Sequence, residues 1–287
     1  MGRQNINFKP LSLNARGIRS FDKRTSIFNW LFKSSADICF LQETYSAPEV
    51  QNEWKKQWKG KTFFSHGTNH SRGILILVKD QLDFRLQSLK VDSQGRYVLL
   101  EALIQDSPFA LLNIYAPNKC AELKSSLILA HSSFVIGGDF NVLFDYDLDV
   151  SGGIKKTKKS VKILEDICLE RDLIDIWRVR NPTEKRFTWR QKTPIIQRRL
   201  DYWLVNDSLQ DDVVSVDIIP SIRSDHSATT LSNSFNGIGD SKLSPSFWKF
   251  NCSLVNDSNY CDLLDTTSKV ASKKVRMLLI SLSYGIC

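Results

Sequence analysis

Short apolar runs that end in polar residues recur along most of this chain, and they limit what it can fold into. Ile6–Leu13, Asp37–Leu41, Ile74–Val78, Tyr97–Ile104, Phe109–Tyr115 and Phe134–Ile136 have the length and β-branched or aromatic character of buried strands. Leu200–Val205, Val213–Ile218 and Ala228–Leu231 follow as late strands. Between them, Phe21–Phe32 places Ile27, Phe28, Leu31 and Phe32 at helical spacing, Val161–Glu170 does the same with Ile163, Leu164 and Ile167, and Leu123–Ala130 reads as a further helix. Some neighbouring strands lie close enough for hairpins and others are separated by helices. The mixture predicts an α/β chain with a mixed sheet or two packed sheets, and excludes a purely parallel one.

The chain has 287 residues, enough for one large domain or two small ones. Composition shifts near Ser232: residues 233–246 are rich in Ser, Gly and Asn and read as a linker, and 247–287 is too short for a core of its own. The folded domain is therefore expected over residues 1–232, followed by a linker and tail over 233–287. The six cysteines form no Cys-x-x-Cys pair, which argues against a zinc ribbon or dithiol site, and Cys39 and Cys168 sit in apolar runs as expected buried thiols. The N-terminus has no apolar signal region and the late apolar stretch Met277–Leu282 is too short to span a bilayer. A soluble protein of a reducing compartment, without a membrane partner, is expected. The net charge of +8 favours polyanionic partners. Residues 155–199 hold 14 Lys and Arg against six Asp and Glu, an excess as large as that of the whole chain.

The polar residues at the strand ends carry the chemistry. Glu43 follows a buried strand in Leu41-Gln42-Glu43-Thr44, where α/β folds place ligand groups; alone, it would be an ordinary loop residue. Asp139 and Asn141 follow another strand in Gly137-Gly138-Asp139-Phe140-Asn141, where the glycines permit a sharp turn. A carboxylate beside an amide suits water activation and oxyanion orientation, although an Asx turn would look the same. Ser224-Asp225-His226 precedes a late strand, and Asp201 in Arg199-Leu200-Asp201-Tyr202 can orient His226 and stabilise its charged form. Asn14 and Tyr115 end two further strands. Each is unexceptional by itself, and their shared position predicts one converged polar site. Carboxylate and amide ligands without a Cys/His cluster suit Mg²⁺, or Mn²⁺ in its place, rather than Zn²⁺. An ion, a His, a Tyr and an activated water suit phosphodiester hydrolysis.

In order, Leu13-Asn14, Leu41-Gln42-Glu43-Thr44, Asn113-Ile114-Tyr115-Ala116-Pro117, Gly137-Gly138-Asp139-Phe140-Asn141, Arg199-Leu200-Asp201-Tyr202 and Ser224-Asp225-His226 resemble the motifs of the endonuclease/exonuclease/phosphatase superfamily over about residues 5–232. Asp175-Ile176-Trp177-Arg178, Asn181-Pro182 and Phe187-Thr188-Trp189 are similar to the endonuclease domain of LINE-type (non-LTR) retrotransposon polyproteins, and Phe247-Trp248-Lys249-Phe250-Asn251 resembles the segment that leads toward their reverse transcriptase. Nothing here resembles the polymerase motif, so the chain reads as a truncated or domesticated copy or an incomplete gene model. The resemblance implies a DNase I-like four-layer sandwich, with two packed mixed β-sheets flanked by helices. It implies that Glu43 binds the metal with Asn14 beside it and Asp225 in or next to that site. Asp139 would activate or position the attacking water and Asn141 would hold the phosphate. Tyr115 and His226 would contact the scissile phosphate, with Asp201 orienting His226. Arg16 departs from the Asp of repair-type relatives, so coordination would rest more on Glu43.

The implied activity is nicking of double-stranded DNA, whose freed 3′-hydroxyl primes reverse transcription. Abasic-site repair, an inositol-lipid phosphatase and an inactive transposon remnant are the competing readings. Lys155, Lys156, Lys158 and Lys159, with Arg199 and Thr188, are the expected DNA-binding residues. Trp189 could stack on a base or belong to the core. A monomer is expected, nuclear if it acts on chromosomal DNA and otherwise cytoplasmic.

Overall fold

The computed structural model describes residues 5–115, 133–153 and 159–236. In chain order the elements are β1 (Asn5–Ile6), β2 (Pro10–Asn14), α1 (Phe21–Lys33), β3 (Ile38–Gln42), α2 (Gln51–Gln57), β4 (Gly60–Ser65), β5 (Ile74–Lys79), β6 (Phe84–Val91), β7 (Tyr97–Ile104), β8 (Ser107–Tyr115) and β9 (Ser133–Asp139). They continue with β10 (Val150–Ser151), α3 (Lys159–Glu170), β11 (Leu173–Asp175), α4 (Ile176–Arg180), β12 (Trp189–Gln191), β13 (Ile196–Arg198), β14 (Asp201–Asn206), β15 (Val213–Ile219), β16 (Ala228–Asn233) and β17 (Phe235–Asn236). The expected helix Leu123–Ala130 lies outside the described residues.

Two six-stranded sheets form the body, ordered β15-β16-β2-β3-β5-β4 and β11-β14-β9-β8-β7-β6. Each has one parallel pair at its centre, β2 with β3 and β8 with β9, and antiparallel pairs elsewhere. The sheets are therefore mixed, as the spacing of the strands predicted. Alternation along each strand divides the core. In β3, Ile38 and Phe40 point between the sheets, where they meet Leu100, Leu111 and Trp203 from the other sheet. Cys39 and Leu41 point outward beneath Ile27, Phe28 and Leu31 of α1 and Trp54 of α2. In β8, Phe109 and Leu111 face inward, while Ala110, Leu112 and Ile114 meet Leu164 and Ile167 of α3. Strands covered on both faces need apolar side chains at nearly every position, which is why these segments read as almost continuous runs.

The strands with weaker signals lie at the edges. β4 and β6 each end a sheet, and β6 buries Phe84 while exposing Leu86, Leu89 and Val91. Trp189 opens β12 of a small three-stranded sheet ordered β10-β13-β12. Gly137 and Gly138 do not make a turn. They lie within β9, where a Cβ on Gly137 would sit 2.3 Å from the Trp203 ring, and Gly138 adopts φ +144° with Ile114 directly alongside. At the end of the described chain, β16 runs to Asn233 and Phe235–Asn236 pairs with Asn5–Ile6, so pairing extends past the domain end expected at 232. Cys39 is fully buried and its thiol is pushed up to about 12 by that burial, while Cys168 is half-buried. Among the described residues no helix is long and apolar enough to cross a membrane.

Candidate active site

The strand ends that looked unrelated in the sequence meet at one edge of the two sheets. The parallel pairs bring Asn14 beside Gln42 and Tyr115 beside Asp139. The antiparallel pairing of β14 with β9 sets Asp201 directly opposite Asp139. Behind this edge the sheets are tied by buried amides: Gln42 Nε2 donates to Asn113 Oδ1 at 2.7 Å, and Asn113 Nδ2 donates to the Leu41 and Leu75 carbonyls. A cavity of about 300 Å³ opens there, lined by Asn14, Arg16, Glu43, Tyr115, Asp139, Asn141, Trp189, Arg198, Leu200, Asp225 and His226.

Its centre is a line of three buried titratable groups. His226 Nδ1 lies 2.9 Å from Asp201 Oδ2, and its Nε2 lies 4.0 Å from Asp139 Oδ2. Asp139 in turn accepts from Asn14 Nδ2 at 2.9 Å and from the Asn141 backbone N–H at 2.9 Å. Burial alone would lower the His226 imidazole, but the Asp201 carboxylate outweighs it, with help from Asp139 and Asp225, and raises it to about 9. Asp139 moves up from the usual carboxylate range because it is buried and faces Asp201, while His226, Asn14 and Asn141 resist the rise. Asp139, Asp201 and His226 offer ligand atoms all within 4.8 Å of one another, close enough to hold a cation. The His226–Asp201 hydrogen bond already engages two of these three groups, so the trio is better described as a relay in which Asp201 is hydrogen-bonded to His226 and Asp139 faces the ring across 4.0 Å.

A second group lies at the rim. The Tyr45 hydroxyl donates to Glu43 Oε2 at 3.1 Å. The Tyr115 phenol, raised above its ordinary value first by burial and then by its hydrogen bond to Glu43, stays protonated and is a donor at neutral pH. Asp225 Oδ2 accepts from Arg16 Nη1 at 2.6 Å and from Trp189 Nε1 at 3.1 Å. Asp201 Oδ1 and Asp225 Oδ1 are buried carboxylate oxygens with no hydrogen-bond partner among the described residues. Arg16, Glu43, Tyr45, Asn141 and Arg223 all hold φ between 47° and 59°, which non-glycine residues rarely adopt, so backbone strain is concentrated around the cavity.

All eight polar residues expected at the site border this cavity or its relay. Two expected DNA contacts do not reach the surface. Arg199 is 1% exposed, bound to both oxygens of Asp149 and to Asp175, and stacked on Tyr202 and Trp177. Thr188 is fully buried, and its hydroxyl accepts from the Leu200 and Asp201 N–H groups. Both serve the frame that holds Asp201, and neither can touch a phosphate. Lys155, Lys156 and Lys158 lie outside the described residues; Lys159 opens α3, and its side chain lies outside them too. Trp189 and Arg198, neither of them among the expected site residues, line the cavity and pair across β12 and β13. The visible signal was their place in an arginine-rich stretch just before Asp201.

The Endonuclease/Exonuclease/phosphatase family matches residues 5–226. The transposon TX1 uncharacterized 149 kDa protein of Xenopus laevis is 30% identical over 261 residues, or 87% of this chain and 20% of that protein. The chain thus spans about a fifth of that relative's length. Three solved structures share the fold. The AP endonuclease LMAP of Leishmania major has a TM-score of 0.67 at 18% identity, covering 80% of this chain and 88% of that one. The APE2 catalytic domain of Xenopus laevis has a TM-score of 0.63 at 20% identity, covering 80% and 94%. The 3′ phosphatase NExo of Neisseria, bound to a product DNA hairpin, has a TM-score of 0.62 at 17% identity, covering 79% and 100%. With the matched segment reaching from β1 to His226 and taking in every residue of the central relay, the chain belongs to the endonuclease/exonuclease/phosphatase family.

Proposed function

We propose that the chain is a divalent-metal-dependent endonuclease that nicks double-stranded DNA, of the LINE-type retrotransposon kind. The relay Asp201–His226–Asp139 carries this reading. A buried imidazole held charged by one carboxylate, and facing another across 4.0 Å, pairs a cation for a phosphate oxyanion with a base for water. Likeness to the TX1 transposon protein supports the retrotransposon origin, and the fold shared with DNA-acting enzymes supports the substrate.

His226, held by Asp201, donates from Nε2 to a non-bridging phosphate oxygen. Asp139, lifted from the usual carboxylate range, accepts a proton from the attacking water as its oxygen bonds to phosphorus, while the bond from phosphorus to the 3′-oxygen breaks and that oxygen takes a proton from solvent to leave as a 3′-hydroxyl. Asn141, on the strained turn after β9, orients the phosphate. The Tyr115 phenol donates a hydrogen bond to it. The donor set fits Mg²⁺ or Mn²⁺: the cavity offers carboxylate and amide oxygens, and among the described residues no cysteine lines it. Glu43, with Asn14 beside it, would hold the ion. Asp225 would stand next to it, already paired with Arg16. When bound, the ion stabilises charge developing on the phosphate oxygens.

Cleavage at abasic sites is the second reading, favoured by the likeness to two AP endonucleases. Incubation of purified protein with supercoiled plasmid tests the first. Nicked circles should form with Mg²⁺ or Mn²⁺ and not with EDTA; intact plasmid under all conditions would refute the nuclease reading. A strong preference for a duplex with one abasic site over an intact duplex would favour the second. The monomeric state and nuclear action on chromosomal DNA belong to the same proposal, as do phosphate contacts by Lys155, Lys156, Lys158 and Lys159.

A further inference from the structure

Arg16 lines the cavity on the loop between β2 and α1, and its side chain is 61% exposed. A long exposed side chain is ordinarily free to rotate, which costs entropy when it binds. Arg16 has little such freedom. Its N–H donates to Asn14 Oδ1 at 3.0 Å, and its carbonyl accepts from Lys23 Nζ at 2.8 Å. The next residue, Gly17, is bonded to the Glu43 carbonyl and packed under the Tyr45 ring, where a Cβ would sit 2.6 Å from ring carbons. At the far end, Nη1 is fixed to Asp225 Oδ2, and the same oxygen accepts the Trp189 indole N–H.

Asp225 is itself held. Ser224 Oγ bonds the Asn14 carbonyl at 2.7 Å, which docks the 221–225 bend against the end of β2, and Ser227 N bonds the Thr188 carbonyl, which docks β12 beside it. Two donors on one carboxylate oxygen, supplied from two separate elements, make a mount. The rest of the guanidinium, Nε and Nη2, has no partner among the described residues.

The geometry points to Arg16 as a preset receptor for a phosphate of the substrate strand, with Asp225 and Trp189 as the residues that position it. This assignment rests on the nuclease reading. Arginine suits the task because its planar fork gives two parallel hydrogen bonds to a phosphate, and fixing one nitrogen leaves the others directed. Asp225 then serves as the guanidinium's anchor, and the divalent ion depends on Glu43. Lys23 and Arg223 share this spot with Arg16, against the opposite charges of Asp225 and Glu43.

Three measurements test this. Binding of a short fluorescein-labelled duplex is followed by anisotropy in EDTA across a KCl series. Mn²⁺ binding is counted by electron paramagnetic resonance, and nicking is measured as KM and kcat. Arg16→Ala should weaken duplex binding about tenfold and make the salt dependence shallower by about one unit. Arg16→Lys, which keeps the charge but not the fork, should keep the slope and raise KM. Asp225→Asn and Trp189→Phe should raise KM while Mn²⁺ affinity stays at the wild-type value. The assignment is overturned if Arg16→Ala binds with wild-type affinity and slope, or if Asp225→Asn loses Mn²⁺ about tenfold or more, as a metal ligand would. Binding and Mn²⁺ counting need no turnover. A wild-type protein that binds duplex but never nicks it would sink the nuclease reading and leave these measurements to decide Arg16. A wild-type protein that binds no duplex would overturn both.

Discussion

Replacing Arg199 with Met should cost stability, not DNA affinity. The side chain is 1% exposed and lies between Asp149, which has no exposure, and Asp175. It gives Nε to Asp149 Oδ1 at 2.8 Å, and Nη2 to Asp149 Oδ2 at 3.0 Å and to Asp175 Oδ2 at 2.6 Å. Its plane stacks 4.4 Å from the Tyr202 ring centroid. Methionine keeps the apolar stem and removes all three bonds. Arg178 still reaches Asp149 Oδ1, but Asp175 Oδ2 is left without its cation. Removing one member of a buried ionic group in this way costs about 3–5 kcal/mol. For a domain of this size that corresponds to roughly 6–20 °C in Tm. Equilibrium urea denaturation followed by tryptophan fluorescence reads the loss, and a cycle with Asp149→Asn should show strong coupling between the two sites. Duplex affinity of the folded variant, and its salt slope, should match wild type. A variant within about 1 kcal/mol of wild type that bound duplex more weakly, with a shallower salt slope, would refute the burial argument.

Three further outcomes follow from the same contacts. The His226 pKa is raised from 6.5 to about 9 in the folded state, so its interaction with Asp201 stabilises fully below pH 6.5 and is lost as pH rises through 9; the urea stability gap between wild type and His226→Gln should shrink over that window. Gly137→Ala should destabilise by about 1–3 kcal/mol, because the new methyl meets the Trp203 ring at 2.3 Å, and thermal denaturation reads this directly. Cys39, with its thiol raised to about 12 and fully buried, should resist iodoacetamide in the native protein and react after urea unfolding, as judged by peptide mass spectrometry.

Strands buried on both faces were legible in the sequence because mostly apolar residues suit them. β3, β5, β7 and β8 lie within a few residues of where the pattern places them. The edge strands β4 and β6 were not, because one face of an edge meets water and its pattern loosens. The site was legible for a related reason. Asn14, Glu43, Tyr115, Asp139 and His226 interrupt or end apolar runs, and a fold with parallel pairs at the centre of each sheet brings such ends together. Arg199 and Thr188 were misread because burial of a charged or hydroxyl side chain depends on partners far away in sequence. Asp149, 50 residues from Arg199, gives no local sign of what it will pair with. The mounting of Arg16 was equally hidden, since its anchor lies 209 residues away.

Hydrolysis of a DNA phosphodiester bond is assigned to the Asp201–His226–Asp139 relay. Its most direct test is single-turnover cleavage of an end-labelled duplex with Mg²⁺ by wild type, Asp139→Asn and His226→Ala, each checked for folding by circular dichroism. Wild type should leave one strand cut with a 3′-hydroxyl, and both variants should be slower by about 10²–10⁴-fold or more. Cleavage that persists at the wild-type rate in both folded variants would remove the relay from the reaction.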